Sequence, residues 1–219
     1  MNDFGVELSQ FYNDNTLNIF SDASIDKNSG CFGVVAVIGD NIIDTRYRLI
    51  SDTTSNNSEI KGIRSAIDIA LKYRDKFQYI NIFSDSLISI NGLREYIYSW
   101  KYNEKTGLLY NSTRKPVANQ SIFIEAKSML NLLEESKSII SIYHQSGHVS
   151  NNYNSILKAG DCFKKYNHIN GKIDLNLIRY ISVLNNYVDH TSRSILKQNR
   201  KNTTYYTDAL EFMYRGDLL

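Results

Sequence analysis

Residues 18–24 read Asn-Ile-Phe-Ser-Asp-Ala-Ser, and the rest of the chain is arranged around this stretch. Ile19 and Phe20 supply the β-branched and aromatic side chains that favour a strand. Asp22 lies in the middle of that strand, where a charged side chain is costly unless something neutralises it. We therefore expect either a bound cation beside Asp22 or an edge position for the strand.

Two further carboxylates lie at the ends of predicted core elements. An alternating strand from Tyr79 to Ser84 is followed directly by Asp85, and Glu59 lies one turn into a predicted helix. Carboxylate oxygens are the hard ligands that Mg²⁺ and similar cations prefer in proteins. The three carboxylates therefore suggest one shared metal site.

The composition limits the classes of protein to which this chain can belong. Its 219 residues, 42% of them hydrophobic, can form one large domain or two small ones with a substantial core. The formal net charge of +2 permits a nucleic-acid partner without demanding one. Cys31 and Cys162 form no CxxC pair, which argues against a thiolate zinc site and fits a reducing compartment such as the cytoplasm. The longest apolar run, Val34–Ile38, is far too short to cross a bilayer, so we expect no membrane partner.

The hydrophobic periodicity predicts three consecutive strands, a helix, a fourth strand, two more helices and a fifth strand. This order indicates an α/β fold whose mixed five-stranded sheet combines a three-strand antiparallel meander with two parallel strands, flanked by helices. The predicted strands are 17–24, 32–38, 42–50, 79–84 and 139–143, and the predicted helices are near 60–71, 87–97 and 121–135.

The pattern fits this sheet less well beyond His148, where a short helix near Tyr153 and two further helices at 173–184 and 186–198 are predicted. The chain has no internal repeat and no Gly/Ser linker, so we interpret it as one domain with an insertion before the last helix. In this interpretation the parts are a leader at 1–16, a domain at 17–199, a basic protrusion at 98–119, an insertion at 150–184 and a C-terminal tail at 200–219.

Several motifs occur in order on these elements, and together they resemble type 1 ribonuclease H over roughly residues 17 to 198. Asp22-Ala23-Ser24 lies on the first strand, a Thr-Thr-Ser-Asn-Asn-Ser run leads into Glu59, and Asp85-Ser86 follows the fourth strand. The remaining motifs are Gly147-His148 after the fifth strand, 185–193 in the last helix, and Trp100-Lys101 and 115–119 at the two ends of the protrusion.

The resemblance implies an endoribonuclease that cleaves the RNA strand of an RNA–DNA hybrid with two Mg²⁺ or Mn²⁺ ions, leaving 5′-phosphate and 3′-hydroxyl ends. We expect it to act as a monomer. The resemblance implies that Asp22, Glu59, Asp85 and Asp189 bind the metals. It implies that His148 is a mobile group assisting in proton transfer or product release. The implied substrate contacts are Asn28, Thr54 and Asn56, and, on the protrusion, Trp100, Lys101, Lys105, Arg114 and Lys115.

Local explanations compete with these catalytic roles. Glu59 could complete a capping box with Asn56, Asp85 could cap a helix, and Asp189 could be an acid of a first helical turn. The chain could also be a nucleic-acid-binding module that has lost catalysis, or another nuclease of the same superfold. The intact carboxylate set favours an enzyme, and the basic protrusion favours ribonuclease H.

The fourth carboxylate is the least constrained part of the prediction. His148 and Asp189 are 41 residues apart, much farther than in the family, so Asp161 and Asp174 in the insertion are rival ligands. We favour Asp189 because its neighbours match the motif and because Asn185 fits a helix start that would place Asp189 in the first turn.

Overall fold

The strand that carries Asp22 is the central strand of a mixed five-stranded sheet in the computed structural model, which describes residues 5–200. Every residue from Thr16 to Asp22 is buried, as expected of a strand covered on both faces. The strands are β1 (Thr16–Asp26), β2 (Ser29–Ile38), β3 (Asn41–Ile50), β4 (Tyr79–Ser84), β5 (Lys101–Asn103), β6 (Leu108–Tyr110) and β7 (Ile139–His144).

The five-stranded sheet has the order β3-β2-β1-β4-β7. β1, β2 and β3 form the antiparallel meander, whereas β4 and β7 pair parallel to β1 and to each other. The predicted sheet is therefore confirmed. β5 and β6 form a separate hairpin within the predicted protrusion, and three-residue strands are too short to show a period in the sequence.

Helices cover both faces of the sheet because neighbouring residues of β1 point to opposite sides. Ile19 packs in a core with the helices at 55–73, 87–94 and 120–134, and Phe20 packs in a second core with the helices at 153–166 and 175–200. Within residues 5–200, no helix combines the length and apolar character needed to cross a membrane. The helices are α1 (Ser55–Tyr73), α2 (Leu87–Arg94), α3 (Gln120–Glu134), α4 (Tyr153–Tyr166) and α5 (Leu175–Arg200), with short 3-10 turns at Leu8–Gln10 and Tyr96–Tyr98.

The prediction of two separate helices at 173–184 and 186–198 is wrong, since α5 is one continuous helix of 26 residues. Ile181, Leu184 and Val188 form a buried stripe that continues through the expected break. Asn185 does not start a helix there. Its side chain is 1% exposed and accepts a hydrogen bond from the Gln145 side-chain amide.

The described part of the predicted leader packs against the start of α5. Val6 forms a parallel bridge with Ile173, the Leu8 amide donates to the Asp174 carboxylate, and Phe11 is buried in the second core. Residues 1–4 of the predicted leader and residues 201–219 of the predicted tail lie outside the described residues.

Candidate functional site

The register of the parallel strands brings Asp22 and Asp85 together. Ser21 of β1 pairs with Ser84 of β4, and Ser84 pairs with His144 of β7. Asp22 is the next residue of β1 and Asp85 directly follows the end of β4, so both carboxylates lie at the same edge of the sheet. β4 ends at Ser84 whereas β1 continues to Asp26, so no residue of β4 lies beside the last part of β1, and other elements can pack there.

Helix α1 brings Glu59 to this edge. The helix begins after Thr54, whose hydroxyl accepts a hydrogen bond from the Asn57 amide, so Thr54 and not Asn56 is the N-cap. Asn56 is exposed, and Glu59, at 9% exposure, points into the interior rather than back to the cap. The capping-box explanation for Glu59 is therefore wrong. One carboxylate oxygen from each of Asp22, Glu59 and Asp85 lies within 4.8 Å of the other two.

The electrostatics of this acidic triad favour either protons or a cation. Burial and the charges of Asp85 and Asp189 raise the pKa of Asp22 to about 8. Burial, followed by the charges of Asp85 and Asp22, raises the pKa of Glu59 well above its ordinary value. Burial raises the pKa of Asp85 as well, against the lowering effect of His148. Three ionised carboxylates this close repel one another, and a bound divalent cation would relieve that repulsion.

The residues present fit such a cation. The Oε2 atom of Glu59 is buried and has no hydrogen-bond partner within residues 5–200, although buried carboxylate oxygens are ordinarily paired. The triad offers only oxygen ligands, which suit Mg²⁺ and Mn²⁺ better than thiophilic metals. An acidic site able to hold a divalent metal is therefore present.

Asp189 faces the triad from α5, although it lies in the middle of the helix and not in its first turn. Its Oδ1 atom accepts hydrogen bonds from the Ser24 hydroxyl at 3.1 Å and from the Arg193 guanidinium at 3.0 Å, and Arg193 also contacts Oδ2 at 2.9 Å. Asp189 is buried, and its negative charge contributes to the raised pKa of both Asp22 and Asp85. The first-turn explanation for Asp189 is wrong, since the helix begins 14 residues earlier at Leu175.

The two rival aspartates lie elsewhere. Asp161 is an exposed residue of α4. The carboxylate of Asp174 accepts hydrogen bonds from the Asn176 and Leu8 amides, which places Asp174 at the start of α5 as a cap. Neither residue lines the cleft that contains the triad, and Asp189 does.

The loop after β7 carries His148 to the rim of this cleft. The Nδ1 atom of His148 lies 3.4 Å from Asp189 Oδ2, and its side chain is 69% exposed. Its φ of +53° is a left-handed conformation that costs a non-glycine residue energy. Gly147 allows the close approach, since a Cβ atom there would collide with the Asp85 carboxylate.

The remaining predicted substrate contacts fall into two groups. Asn28, Thr54 and Asn56 are all exposed. Asn28 lies in the turn between β1 and β2, Thr54 caps α1, and Asn56 lies in the first turn of that helix. The Thr53 amide donates a 3.0 Å hydrogen bond to the Asn28 carbonyl, which connects the two regions. Trp100 is half-buried with its ring edge against Phe123, so part of its surface serves the core. The four cations of the protrusion are exposed, namely Lys101, Lys105, Arg114 and Lys115.

Sequence reasoning missed two basic residues of the site. Arg193 and Lys197 follow Asp189 at intervals of four on α5, and both line the cleft of about 480 Å³. The helical spacing Asp189-Arg193-Lys197 is a signal that could have found them, because residues four apart share one face of a helix.

Comparisons with known proteins place this site in a family context. A profile of the RNase H family matches residues 14–157. The ribonuclease H of Actinobacillus succinogenes is 29% identical over 115 residues, which are 52% of this chain and 70% of the relative. The ribonuclease HI of Haemophilus influenzae is 31% identical over 109 residues, which are 49% of this chain and 66% of the relative. The profile match ends within α4, so it includes the acidic triad and His148 but not Asp189.

Solved structures of RNases H also resemble this chain. RNase H1 from Halobacterium salinarum superposes with a TM-score of 0.40 and 17% identity, covering 68% of this chain and 93% of that protein. LC11-RNase H1, solved in complex with an RNA/DNA hybrid, superposes with a TM-score of 0.42 and 14% identity, covering 59% of this chain and 85% of that protein.

Proposed function

Because this chain belongs to the RNase H family, we propose that it is an endoribonuclease that hydrolyses the RNA strand of RNA–DNA hybrids with two divalent cations, Mg²⁺ or Mn²⁺. The observation that carries the proposal is the acidic triad, in which one carboxylate oxygen from each residue lies within 4.8 Å of the other two, at the sheet edge where β4 ends beside β1. An intact triad of this kind also favours an active enzyme over a binding module that has lost catalysis.

We assign the cation ligands to Asp22, Glu59, Asp85 and Asp189. When bound, two divalent cations supply a polarised water for attack and stabilise charge on the leaving 3′-oxygen, giving 5′-phosphate and 3′-hydroxyl ends. The protein holds these carboxylates on separate elements of the fold, so the cluster does not depend on one flexible segment. Arg193 neutralises part of the charge on Asp189 and holds its carboxylate towards the cleft.

His148 suits a role in proton transfer at the open side of the site. Its imidazole is exposed, lies beside Asp189, and is carried by a loop in contact with Asp85. An imidazole in this position can accept a proton from water or donate one to a leaving group. We therefore assign His148 to proton transfer or product release.

We assign substrate binding to the two surfaces beside the cleft. Short polar side chains at Asn28, Thr54 and Asn56 suit contacts with 2′-hydroxyl and phosphate groups. Lys101, Lys105, Arg114 and Lys115 suit phosphate contacts from the protrusion, with the exposed part of Trp100 available for stacking.

We also propose that the protein acts as a monomer in the cytoplasm. One chain supplies all four carboxylates and His148, so the site needs no partner subunit. Cys31 and Cys162 are both free thiols, which suits a reducing compartment.

The test is a cleavage assay on an RNA–DNA hybrid, duplex RNA and duplex DNA, each with and without Mg²⁺. We expect Mg²⁺-dependent cleavage of the RNA strand in the hybrid alone. Binding without cleavage would instead support an inactive module, and cleavage of duplex DNA would support another nuclease of the same superfold.

A further inference from the structure

One side chain at the end of α4 hydrogen-bonds the main chain of the sheet. The carboxamide of Asn167 accepts a hydrogen bond from the His144 amide at 2.8 Å and donates to the His144 carbonyl at 2.7 Å. His144 is the last residue of β7, an edge strand of the sheet. Asn167 therefore pairs with both main-chain groups of the strand end, as a further strand would.

Two further sets of hydrogen bonds fix the Asn167 side chain in this position. Asn167 also donates to the Phe163 carbonyl at 2.9 Å, which caps the end of α4. Arg94 of α2 donates to the Asn167 carboxamide oxygen and to the Tyr166 carbonyl, at 3.2 and 3.3 Å. Arg94 is half-buried, and burial lowers the pKa of its guanidinium.

His144 connects the pairing to the acidic triad. His144 pairs with Ser84, the residue before Asp85, in the register of β7 and β4, and its ring meets the ring of Tyr166 edge-on at 4.9 Å. The next amide along the chain, that of Gln145, donates to the Ser84 carbonyl at 3.0 Å, directly before Asp85. Asp85 is therefore supported from the side of β7.

The same strand end begins the loop that carries His148. The side chain of Gln145 bonds Asn185, and the Asn186 side chain donates to the Val149 carbonyl at 2.9 Å. The loop is thus fixed to α5 near both its ends, and Asn167 fixes the strand from which it departs. This makes Asn167 the link between the insertion and the loop beside the triad.

From these contacts we propose that the insertion is a positioning element of the active site. Asn167, held by Arg94, is the positioning residue that sets His144, and through His144 it orients Asp85 and the His148 loop for metal binding and turnover. This inference rests on the proposed function, because it assigns the insertion a role in that reaction.

The experiment compares Asn167→Ala with Ala159→Gly in the full chain. Ala159 is buried within α4, so glycine there weakens the same helix while leaving the bonds to His144 in place. Three experiments are carried out well below the unfolding temperature of either variant. Calorimetry gives the Mn²⁺ affinity, steady-state kinetics on a hybrid give kcat and KM, and hydrogen exchange follows the amides of residues 144–149.

We expect Asn167→Ala to weaken Mn²⁺ binding and lower kcat by about tenfold, the usual effect of losing support for a metal ligand. KM should stay within about twofold, since Asn167 bonds His144, Phe163 and Arg94, none of which is a predicted substrate-binding residue. The 144–149 amides should exchange faster. Ala159→Gly should leave all of these unchanged. Equal Mn²⁺ affinity and kcat in the two variants would overturn the proposal.

A second variant covers the case in which Asn167→Ala does not fold. Arg94→Met removes the donors that hold Asn167 but leaves Asn167 and its pairing partner in place. The proposal expects weaker Mn²⁺ binding and lower kcat here too, and wild-type values for both would overturn it. If the wild-type chain cleaves no hybrid, the proposed function fails, whereas Mn²⁺ affinity and amide exchange still test the positioning role.

Discussion

Asp22 lies opposite Gly33 in the register of β1 and β2, and it is 4% exposed. Its Oδ1 atom accepts a 2.6 Å hydrogen bond from the Ala23 amide, but burial and two neighbouring carboxylates outweigh that contact and raise its pKa to about 8. A residue so costly to bury is best explained by a function that needs its charge.

Replacing Asp22 with Asn should abolish Mg²⁺-dependent cleavage while retaining hybrid binding, because the charge of a metal ligand is lost and its shape is kept. We expect kcat to fall by more than about 100-fold, beyond the usual effect of losing a supporting residue. Cleavage and hybrid binding by fluorescence anisotropy are the measurements, with Asp161→Asn as a control that removes one exposed carboxylate. Substantial activity in Asp22→Asn would contradict the assignment of Asp22 as a ligand.

The fourth ligand is tested by three single substitutions to Asn. Asp189→Asn should lose activity and metal affinity, whereas Asp161→Asn should keep both. Asp174→Asn should stay active and lose at most about 1 kcal/mol of stability, since Asn is nearly as good a helix cap as Asp. An active Asp189→Asn protein together with an inactive Asp174→Asn protein would show that the ligand comes from the insertion.

At the scale of elements, periodicity predicted the sheet and its flanking helices because the strands and helices carry apolar residues at regular intervals or in short runs. It did not predict α5 as one helix, since Asn185 and Asn186 resemble a helix start in sequence. Both side chains instead bond the loop after β7, a contact across 37 to 40 residues that no local pattern can encode. The pairing of Asn167 with His144 was missed for the same reason.

The site likewise combines residues that local sequence patterns predict with contacts that depend on the tertiary fold. Asp22, Glu59 and Asp85 were predictable because each lies in, follows or opens an element with a strong local pattern, and the parallel register then brings the two aspartates together. Gly147 could not be predicted as a contact of Asp85, since this depends on how β7 and β4 end relative to each other.

The protrusion formed by 98–119 should bind the hybrid through charge. Changing Lys101, Arg114 and Lys115 to Ala should weaken hybrid binding and flatten its salt dependence, by about one unit of slope for each phosphate that is no longer neutralised. The measurement is binding across a series of salt concentrations. A matched control replaces three cations of the insertion and α5, Lys158, Lys172 and Arg179. Equal slopes in wild type and the protrusion variant would mean that the protrusion does not bind phosphates.

For the whole molecule, charge repulsion is small over the surface but large among the clustered carboxylates of the site. The net charge is only +2, so repulsion over the surface is small, whereas three carboxyls of raised pKa are concentrated at one edge of the sheet. In the folded protein without metal, these groups bind protons at a pH where the unfolded chain has already released them. Stability of the metal-free protein is therefore linked to pH through the site itself.

The sign of this linkage gives a prediction for the metal-free protein. The folded pKa of Asp22 is about 8 against an ordinary value of 3.8, so the stability gained by holding this proton is lost as pH rises towards 8. His144 acts in the opposite direction, because burial lowers its pKa from 6.5 and unfolding is favoured at more acidic pH. Between pH 6.5 and 8 the carboxyl effect dominates, so the free energy of unfolding in EDTA should fall with pH. The free energy of unfolding should fall by at most about 1.4 kcal/mol per pH unit for each proton that the folded protein releases on unfolding.

Adding Mg²⁺ or Mn²⁺ should reverse this trend, since a cation competes with the bound protons and stabilises the folded protein more at pH 8 than at pH 6.5. Asp22→Asn, which cannot ionise, should flatten the slope in EDTA and reduce the stabilisation by metal. Urea unfolding at several pH values, with and without metal, measures each of these effects. A free energy of unfolding that rises from pH 6.5 to 8 in EDTA would mean that the triad is ionised without a cation, and its oxygens would then need another source of neutralisation within the fold.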